Sequence, residues 1–260
     1  MKKLLTLFAF FIGCETFDVV ADNPLDPSNP DYVKPTISIL SPPDQQTINT
    51  DNVKIILQGN ELVSEYRYKI VTTDYYKGTH WSSWSPSNEV SLEYLNEYTY
   101  TVIAQSRYLN EETSDEASAT FTIDALPPSS LLLYPKYLEA STNFTFNIFL
   151  FAHDLSNVSA LDFIIQYDGT KLSFTPEEGS EEYGDINIVR SISNNQVHYT
   201  LGKYGDNGFE ENDIIAKISF RVSSGSGSYS DIKISSITAK SLDGQTIEIA
   251  GSNQVRVNLK

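Results

Sequence analysis

The residues best suited to chemistry in this sequence are carboxylates and histidines, and none has the spacing of an active site. Pairs of adjacent glutamates occur in polar stretches, at Glu111-Glu112, Glu177-Glu178, Glu181-Glu182 and Glu210-Glu211. Such pairs are solvated, whereas an acid/base pair needs one carboxyl group in an apolar pocket. The histidines, His80, His153 and His198, lack metal-ligand spacing. We therefore predict a protein that is not an enzyme and has no cofactor.

One loop is a weak candidate for calcium. Asp206-Asn207-Gly208 offers oxygen ligands but lacks the repeated acidic positions of an EF-hand loop. The sequence also contains no nucleophile elbow, phosphate loop or dinucleotide fingerprint. We predict no metal site.

Two tryptophans are candidates for stacking on sugar rings. Trp81 and Trp84 follow Tyr75 and Tyr76 closely, and flat aromatic rings in a shallow groove can bind glycans. Tryptophan usually buries most of its area, which favours a hairpin packed on its own sheet. The run from Trp81 to Ser85 resembles the Trp-Ser-x-Trp-Ser box of class I cytokine receptors, where the box stacks against arginines of a neighbouring strand. Its position in mid-domain indicates a chance match or a local aromatic hairpin.

The only cysteine, Cys14, follows a short N-terminal segment typical of a signal peptide. Lys2 and Lys3 form a positive region, and Leu4–Ile12 forms an apolar stretch too short to span a bilayer as a transmembrane helix. The run Phe11-Ile12-Gly13-Cys14 resembles the lipobox of bacterial lipoprotein signal peptides, although Phe11 is an unusual first residue. The resemblance implies cleavage before Cys14 and acylation of its thiol and new amino group. We expect a lipid-anchored, extracytoplasmic protein of the bacterial cell envelope, at the outer membrane or cell surface.

The net charge of −16 limits the classes of partner. No basic patch is present, so nucleic acid is not an expected partner. Attraction to anionic lipid is equally unexpected, and membrane attachment would come from the lipid chains alone. With Cys14 acylated, the mature chain forms no disulfide, and its folded parts depend on apolar cores.

Composition and turn signals divide the chain into five segments. A signal peptide (1–13) precedes the lipidated cysteine and a proline-rich tether (14–35), which is extended and semi-stiff. Alternating apolar and polar residues then predict an immunoglobulin- or fibronectin III-like sandwich (36–125), with Tyr98, Tyr100, Val102 and Ala104 on its inner face. A short linker (126–130) leads to a second all-β unit (131–260).

The second unit has nine candidate strands in about 130 residues, which suits a two-sheet jelly roll. Two stretches carry a family resemblance: Asn157–Leu172, with its alternating strand ending in Tyr-Asp, and Asp213–Val222, with an apolar-x-Phe-x-Val ending. They resemble the third and late strands of cohesin domains. Cohesins are nine-stranded receptors that hold dockerin modules in bacterial polysaccharide-degrading assemblies. The fold class predicted for the whole chain is all-β.

The resemblance implies a partner-binding face on the second unit. Asp162 occupies the position of a cohesin acid that accepts hydrogen bonds from a dockerin helix. Alternation places Ile164 and Gln166 beside it and His198 and Thr200 on the neighbouring strand. Ile164 would then be an exposed apolar residue between polar ones, unless a loop or the first domain covers it. Lys203 stands where several cohesins have an acid, which argues against ordinary dockerin pairing.

These observations predict a non-enzymatic scaffolding lipoprotein. Its cohesin-like domain would capture a protein partner, one bearing a dockerin, in polysaccharide utilisation. Two alternatives remain open: direct carbohydrate binding by the same jelly-roll shape, and a structural envelope spacer without a specific ligand.

Overall fold

The computed structural model describes residues 23–73, 80–205, 208–225 and 227–260. Apart from a single turn of 3-10 helix at Pro176–Glu178, its regular elements are strands, so the all-β prediction is confirmed. Cys14, Tyr75, Tyr76 and Asp206-Asn207 lie outside the described residues. No helix in these ranges is long and apolar enough to cross a membrane.

The first unit consists of two small sheets around one core. Its strands are β1 (Ile37–Ser41), β2 (Gln46–Ile48), β3 (Val53–Gly59), β4 (Glu65–Val71), β5 (Glu89–Leu92), β6 (Thr99–Arg107) and β7 (Ala117–Ile123). They pair in the orders β1-β3-β5 and β2-β7-β6-β4. The immunoglobulin-like assignment of this unit stays a prediction.

Strand β6 shows why the inner face forms. Tyr100, Val102 and Ala104 are fully buried, as their alternation requires, and the Tyr100 ring stacks 5.7 Å from that of Phe121. The prediction for Tyr98 is wrong, because this residue precedes the strand and is 41% exposed. Its hydroxyl accepts a hydrogen bond from Thr73 at the surface instead.

The second unit is a sandwich of two larger sheets. Its strands are β8 (Ser130–Tyr134), β9 (Tyr137–Ala140), β10 (Thr145–His153), β11 (Ala160–Gln166), β12 (Leu172–Phe174), β13 (Glu181–Glu182), β14 (Ile186–Ser193), β15 (Gln196–Gly202), β16 (Ile214–Val222), β17 (Ser228–Lys240), β18 (Thr246–Ile247), β19 (Gly251–Ser252) and β20 (Gln254–Leu259). One sheet has the order β12-β16-β10-β8-β19, with β13 on β16. The other has the order β14-β15-β11-β17-β20-β9, with β18 on β17.

Aromatic rings fill the space between these two sheets. Phe163 of β11 and Tyr199 of β15 stack with ring centroids 5.1 Å apart and an interplanar angle of 4°. Phe146 of β10 stacks on Phe220 of β16 at 6.0 Å in the facing sheet. All four side chains belong to one continuous buried cluster, so β11 and β15 rest on a close-packed base.

The first unit contacts the edge of the second sheet that β20 and β9 form. Tyr94 stacks on Tyr137 of β9 at 6.0 Å and accepts a hydrogen bond of 2.6 Å from Nη1 of Arg256 on β20. Arg256 is in turn held by Asp231 through both of its carboxylate oxygens. These contacts lie on β20 and β9, whereas β14, β15 and β11 lie toward the opposite edge of the same sheet.

Candidate functional site

The five residues predicted for a binding face lie together on the outer surface of β11 and β15. The antiparallel register places Asp162 opposite Thr200, Ile164 opposite His198, and Gln166 opposite Gln196. The intervening residues point into the core, because successive side chains of a strand face opposite sides of the sheet. The geometry therefore unites the predicted residues on one surface, and their role in binding stays a prediction.

A polar row crosses the centre of this surface. Nε2 of His198 lies 2.8 Å from Oδ2 of Asp162, and Oγ1 of Thr200 donates to the same oxygen at 2.7 Å. On the other side of the imidazole, Nη2 of Arg190 lies 3.2 Å from Nδ1 of His198. A guanidinium only donates, so Nδ1 accepts from Arg190 and the Nε2–H group donates to Asp162. A neutral imidazole satisfies both contacts.

The hydrogen bonds also fix the charge state of Asp162. Partial burial would raise the pKa of its carboxyl group, but the bonds from Thr200 and His198 outweigh that effect and lower the pKa below its ordinary value of 3.8. Asp162 is therefore a carboxylate at neutral pH with two of its acceptor positions already in use.

The neighbouring strand β14 adds apolar residues that the sequence reasoning missed. Its pairing with β15 sets Ile188 opposite Thr200 and Arg190 opposite His198, so the side chains of Ile186, Ile188 and Arg190 share the outer surface, and a bulge interrupts the alternation at Ile192. Ile186, Ile188 and Ile192 are 43%, 49% and 51% exposed. The signal was present in the sequence as isoleucines at every second position around Arg190. We call the outer surface of β14, β15, β11 and the part of β17 that pairs with β11 the docking face.

One close backbone approach fixes the end of the docking face. Gly169, after β11, packs against the turn between β14 and β15, and a Cβ atom there would lie 1.8 Å from the carbonyl oxygen of Asn194. Only glycine permits this approach, which holds β11 and the β14–β15 hairpin in a fixed relation.

Lys203 lies just beyond β15 and is engaged within its own unit. Its Nζ atom contacts Oδ2 of Asp213 at 2.5 Å, next to the chain segment that leads into β16. The lysine that departs from the cohesin pattern therefore neutralises an internal carboxylate.

The two tryptophans lie in the first unit, away from the docking face, in a ladder of cations and rings. The guanidinium of Arg67 lies 4.5 Å from the ring centroids of both Trp81 and Trp84. Lys69 also faces Trp81 at 4.4 Å, and Arg107 faces Trp84 at 4.7 Å. The ladder favours the hairpin packed on its own sheet, and glycan stacking by these rings stays a prediction. Among the described residues, no group of three or more His, Cys, Asp or Glu side chains is placed to hold a metal ion.

Comparison with known families gives a match to the second unit. The family described as Cohesin domain matches residues 138–254, which confirms the resemblance that the sequence carries in this part of the chain. No curated protein matches the sequence.

Similar solved structures cover about half of the chain. The sixth cohesin of scaffoldin B from Acetivibrio cellulolyticus, in complex with a Cel5 dockerin, is 17% identical and aligns over 52% of this chain and 100% of its own, with a TM-score of 0.44. The cohesin of a Coh-OlpA–Doc918 complex from Clostridium thermocellum is 10% identical over 50% and 99%, with a TM-score of 0.43. A non-cellulosomal cohesin from the archaeon Archaeoglobus fulgidus is 12% identical over 52% and 92%, with a TM-score of 0.42.

Proposed function

We propose that this chain is a non-enzymatic binding protein that captures a partner protein on the docking face of its second unit. The observation that carries the proposal is the pattern of that face: the half-buried Ile164 and the exposed Ile186 and Ile188 flank a polar row on the outer surface of the sheet. Apolar anchors around oriented polar groups are typical of protein interfaces.

The exposed isoleucines provide the driving force for docking. Fully burying one such side chain is favourable by about 1.5–3 kcal/mol relative to leaving it in water. Ile186 and Ile188 are each about half exposed in the free protein, so a partner that covers them still gains a large part of this free energy. The hydrogen-bonded row of Arg190, His198 and Asp162 then restricts which partner fits, because a badly matched surface would leave these groups unpaired.

The proposal also includes the kind of partner and the place in the cell where the chain acts. The cohesin resemblance implies a partner that carries a dockerin, and polysaccharide utilisation as the process. The lipobox-like run ending at Cys14 supports anchoring of the chain in a bacterial envelope. The proline-rich segment after Cys14 would hold the folded units away from the membrane.

Direct glycan binding has less support from the described residues. Trp81 and Trp84 are each faced by two cationic side chains, which leaves less ring surface for a sugar.

The test is to immobilise the full chain and capture its partner from an extract of the source organism. Mass spectrometry identifies the captured protein, and calorimetry with that purified protein measures its affinity. The variant Ile164→Asp/Ile188→Asp places charges in the apolar part of the docking face. It should weaken binding by about 30-fold or more, the effect of losing one hot-spot residue. The matched control is Leu109→Asp, since Leu109 is 81% exposed in the first unit, and it should bind as the wild type does.

Two results would contradict the proposal. Equal binding by the wild type and the docking-face variant would place the interaction elsewhere on the chain. If the wild type and both variants recover the same amount of polysaccharide, the result would favour direct carbohydrate binding.

A further inference from the structure

The docking face is a cationic surface on an acidic protein. The side chains of Arg190, Lys233 and Lys240 point outward from β14 and β17, and all three are exposed. Asp162 is the one carboxylate among the outward positions of the paired parts of β14, β15, β11 and β17. The formal charge of this surface is therefore positive with a neutral His198, while that of the whole chain is −16.

These three cations differ from most others in the described residues, which form ion pairs with carboxylates. The paired lysines and arginines are Lys34, Lys54, Lys69, Arg107, Lys136, Lys171, Lys203, Lys217, Arg221, Arg256 and Lys260. Arg190 instead contacts the His198 ring, and Lys240 lies 3.3 Å from the carbonyl oxygen of Gly244. The side chain of Lys233 has no hydrogen-bond or ion-pair partner among the described residues. The docking face thus keeps positive charge that the chain itself does not neutralise.

The carboxylates in the turns at the ends of these strands accept hydrogen bonds from backbone amides of the same unit. Asp168 accepts the backbone N–H of Thr170 at 3.0 Å, and Asp185 accepts that of Tyr204 at 2.5 Å. Asp243 likewise accepts from the amide of Gln245 at 3.4 Å. Asp168 and Asp243 stabilise their own turns, and Asp185 links the segment before β14 to the segment after β15.

The dimensions of the face suit a helix. Strands lie about 4.8 Å apart, so the width from β14 to β17 is about 15 Å. A helix with its side chains is about 10–12 Å across and can lie on such a surface. Its apolar residues would contact Ile164 and Ile188, and its flanking residues would reach the cations on both sides.

We propose that the partner presents an acidic amphipathic helix, with aspartate or glutamate residues flanking an aliphatic stripe. The inference rests on the proposed function, since it names the chemistry of the partner for the same face. It differs from the expectation that Asp162 accepts hydrogen bonds from a dockerin helix, because His198 and Thr200 already donate to that carboxylate. Complementary charge would also speed association with an acidic partner.

The test uses two stapled helical peptides of about 20 residues, roughly 30 Å long. They carry the same leucine stripe and differ only in having glutamate or lysine at the flanking positions. Binding to the ¹⁵N-labelled full chain is followed by amide chemical shifts at low salt. The glutamate peptide should perturb amides of β14, β15 and β11 and bind about tenfold more tightly than the lysine peptide, the combined effect of several exposed ion pairs. The variant Arg190→Glu/Lys233→Glu/Lys240→Glu should reverse the preference.

The outcomes separate this inference from the proposed function. Preferential binding of the lysine peptide to the same amides, with loss of binding in Ile164→Asp/Ile188→Asp, would overturn the acidic partner and leave the docking face intact. Failure of both peptides to perturb the face at millimolar concentration would overturn the inference and weaken the docking proposal as well. Perturbation of the same amides by polygalacturonate instead would show that the positive charge serves an anionic polysaccharide.

Discussion

Lys136 and Glu97 form a buried ion pair across the boundary between the two units, with Nζ of Lys136 2.6 Å from Oε1 of Glu97. The two side chains are only 2% and 8% exposed. The amide of Lys136 also donates to Oδ1 of Asn96 at 2.8 Å, and Ala125 N donates to the second oxygen of Glu97 at 2.7 Å. These contacts fix the position of the start of the second unit against the first unit.

Removing one partner of this pair should destabilise the protein strongly. In Lys136→Met, Glu97 stays buried without its counter-charge, so we expect a loss of about 3–5 kcal/mol in the free energy of unfolding. Urea denaturation measures this loss. The control is Lys54→Met, because Lys54 pairs with Glu89 at an exposed site and should lose at most about 1 kcal/mol. Equal losses in the two variants would show that the junction is not held by this pair.

The cation–ring ladder should stabilise the first unit. In Arg67→Met, Trp81 and Trp84 lose the guanidinium between them, and the free energy of unfolding should fall by about 1–2 kcal/mol. Tryptophan fluorescence reports this transition directly, since both tryptophans of the chain lie in the ladder. Arg67→Lys keeps the charge and should recover part of the loss. If Arg67→Met unfolds at the wild-type midpoint, the ladder is a surface feature without energetic weight.

The polar row should be visible as a pH effect at Asp162. Its pKa is lower in the folded protein, so its contribution to stability is present above the unfolded value of about 3.9 and is lost as the pH falls through the folded pKa. Because the side chain is 48% exposed, the stability effect should be small, and a ¹³C-carboxyl NMR titration is the better measurement. Thr200→Val should raise the titration midpoint of Asp162. An unchanged midpoint would mean that Thr200 does not donate to the carboxylate in solution.

The close approach at Gly169 should tolerate no side chain. Gly169→Ala would place a methyl group against the carbonyl oxygen of Asn194, so we expect a loss of about 1–3 kcal/mol in the free energy of unfolding and shifted amide signals in the β14–β15 hairpin. The control is Gly251→Ala, since a Cβ atom at Gly251 meets nothing within 4 Å. Similar denaturation midpoints for the two variants would contradict the packing described here.

The central residues of the docking face were accessible from the sequence because strand alternation is local. The alternation of Leu161, Phe163 and Ile165 with the polar residues Asp162 and Gln166 is enough to place Asp162, and with it Ile164, on the outside. The isoleucines of β14 share this surface only through the pairing of β14 with β15, and pairing between strands is not a local property.

Other features depended on contacts that no local pattern encodes. The chain after β17 forms three strands, β18, β19 and β20, and β19 crosses to pair with β8 of the other sheet. Lys136 is buried only because Glu97 and Asn96 of the first unit meet it, whereas a lysine next to a proline suggests an exposed loop. The tryptophan ladder likewise depends on arginines supplied by β4 and β6.

Site-specific photo-crosslinking tests the docking face most directly. A benzophenone side chain would replace Ile188 on the docking face, and in a second variant Phe149 on the outer surface of β10 in the opposite sheet. Both full-length chains would be irradiated in an extract of the source organism. We expect a discrete protein adduct from position 188, lost in the Ile164→Asp background, and none from position 149. Adducts from position 149, or none from either position, would contradict capture of a partner by the docking face.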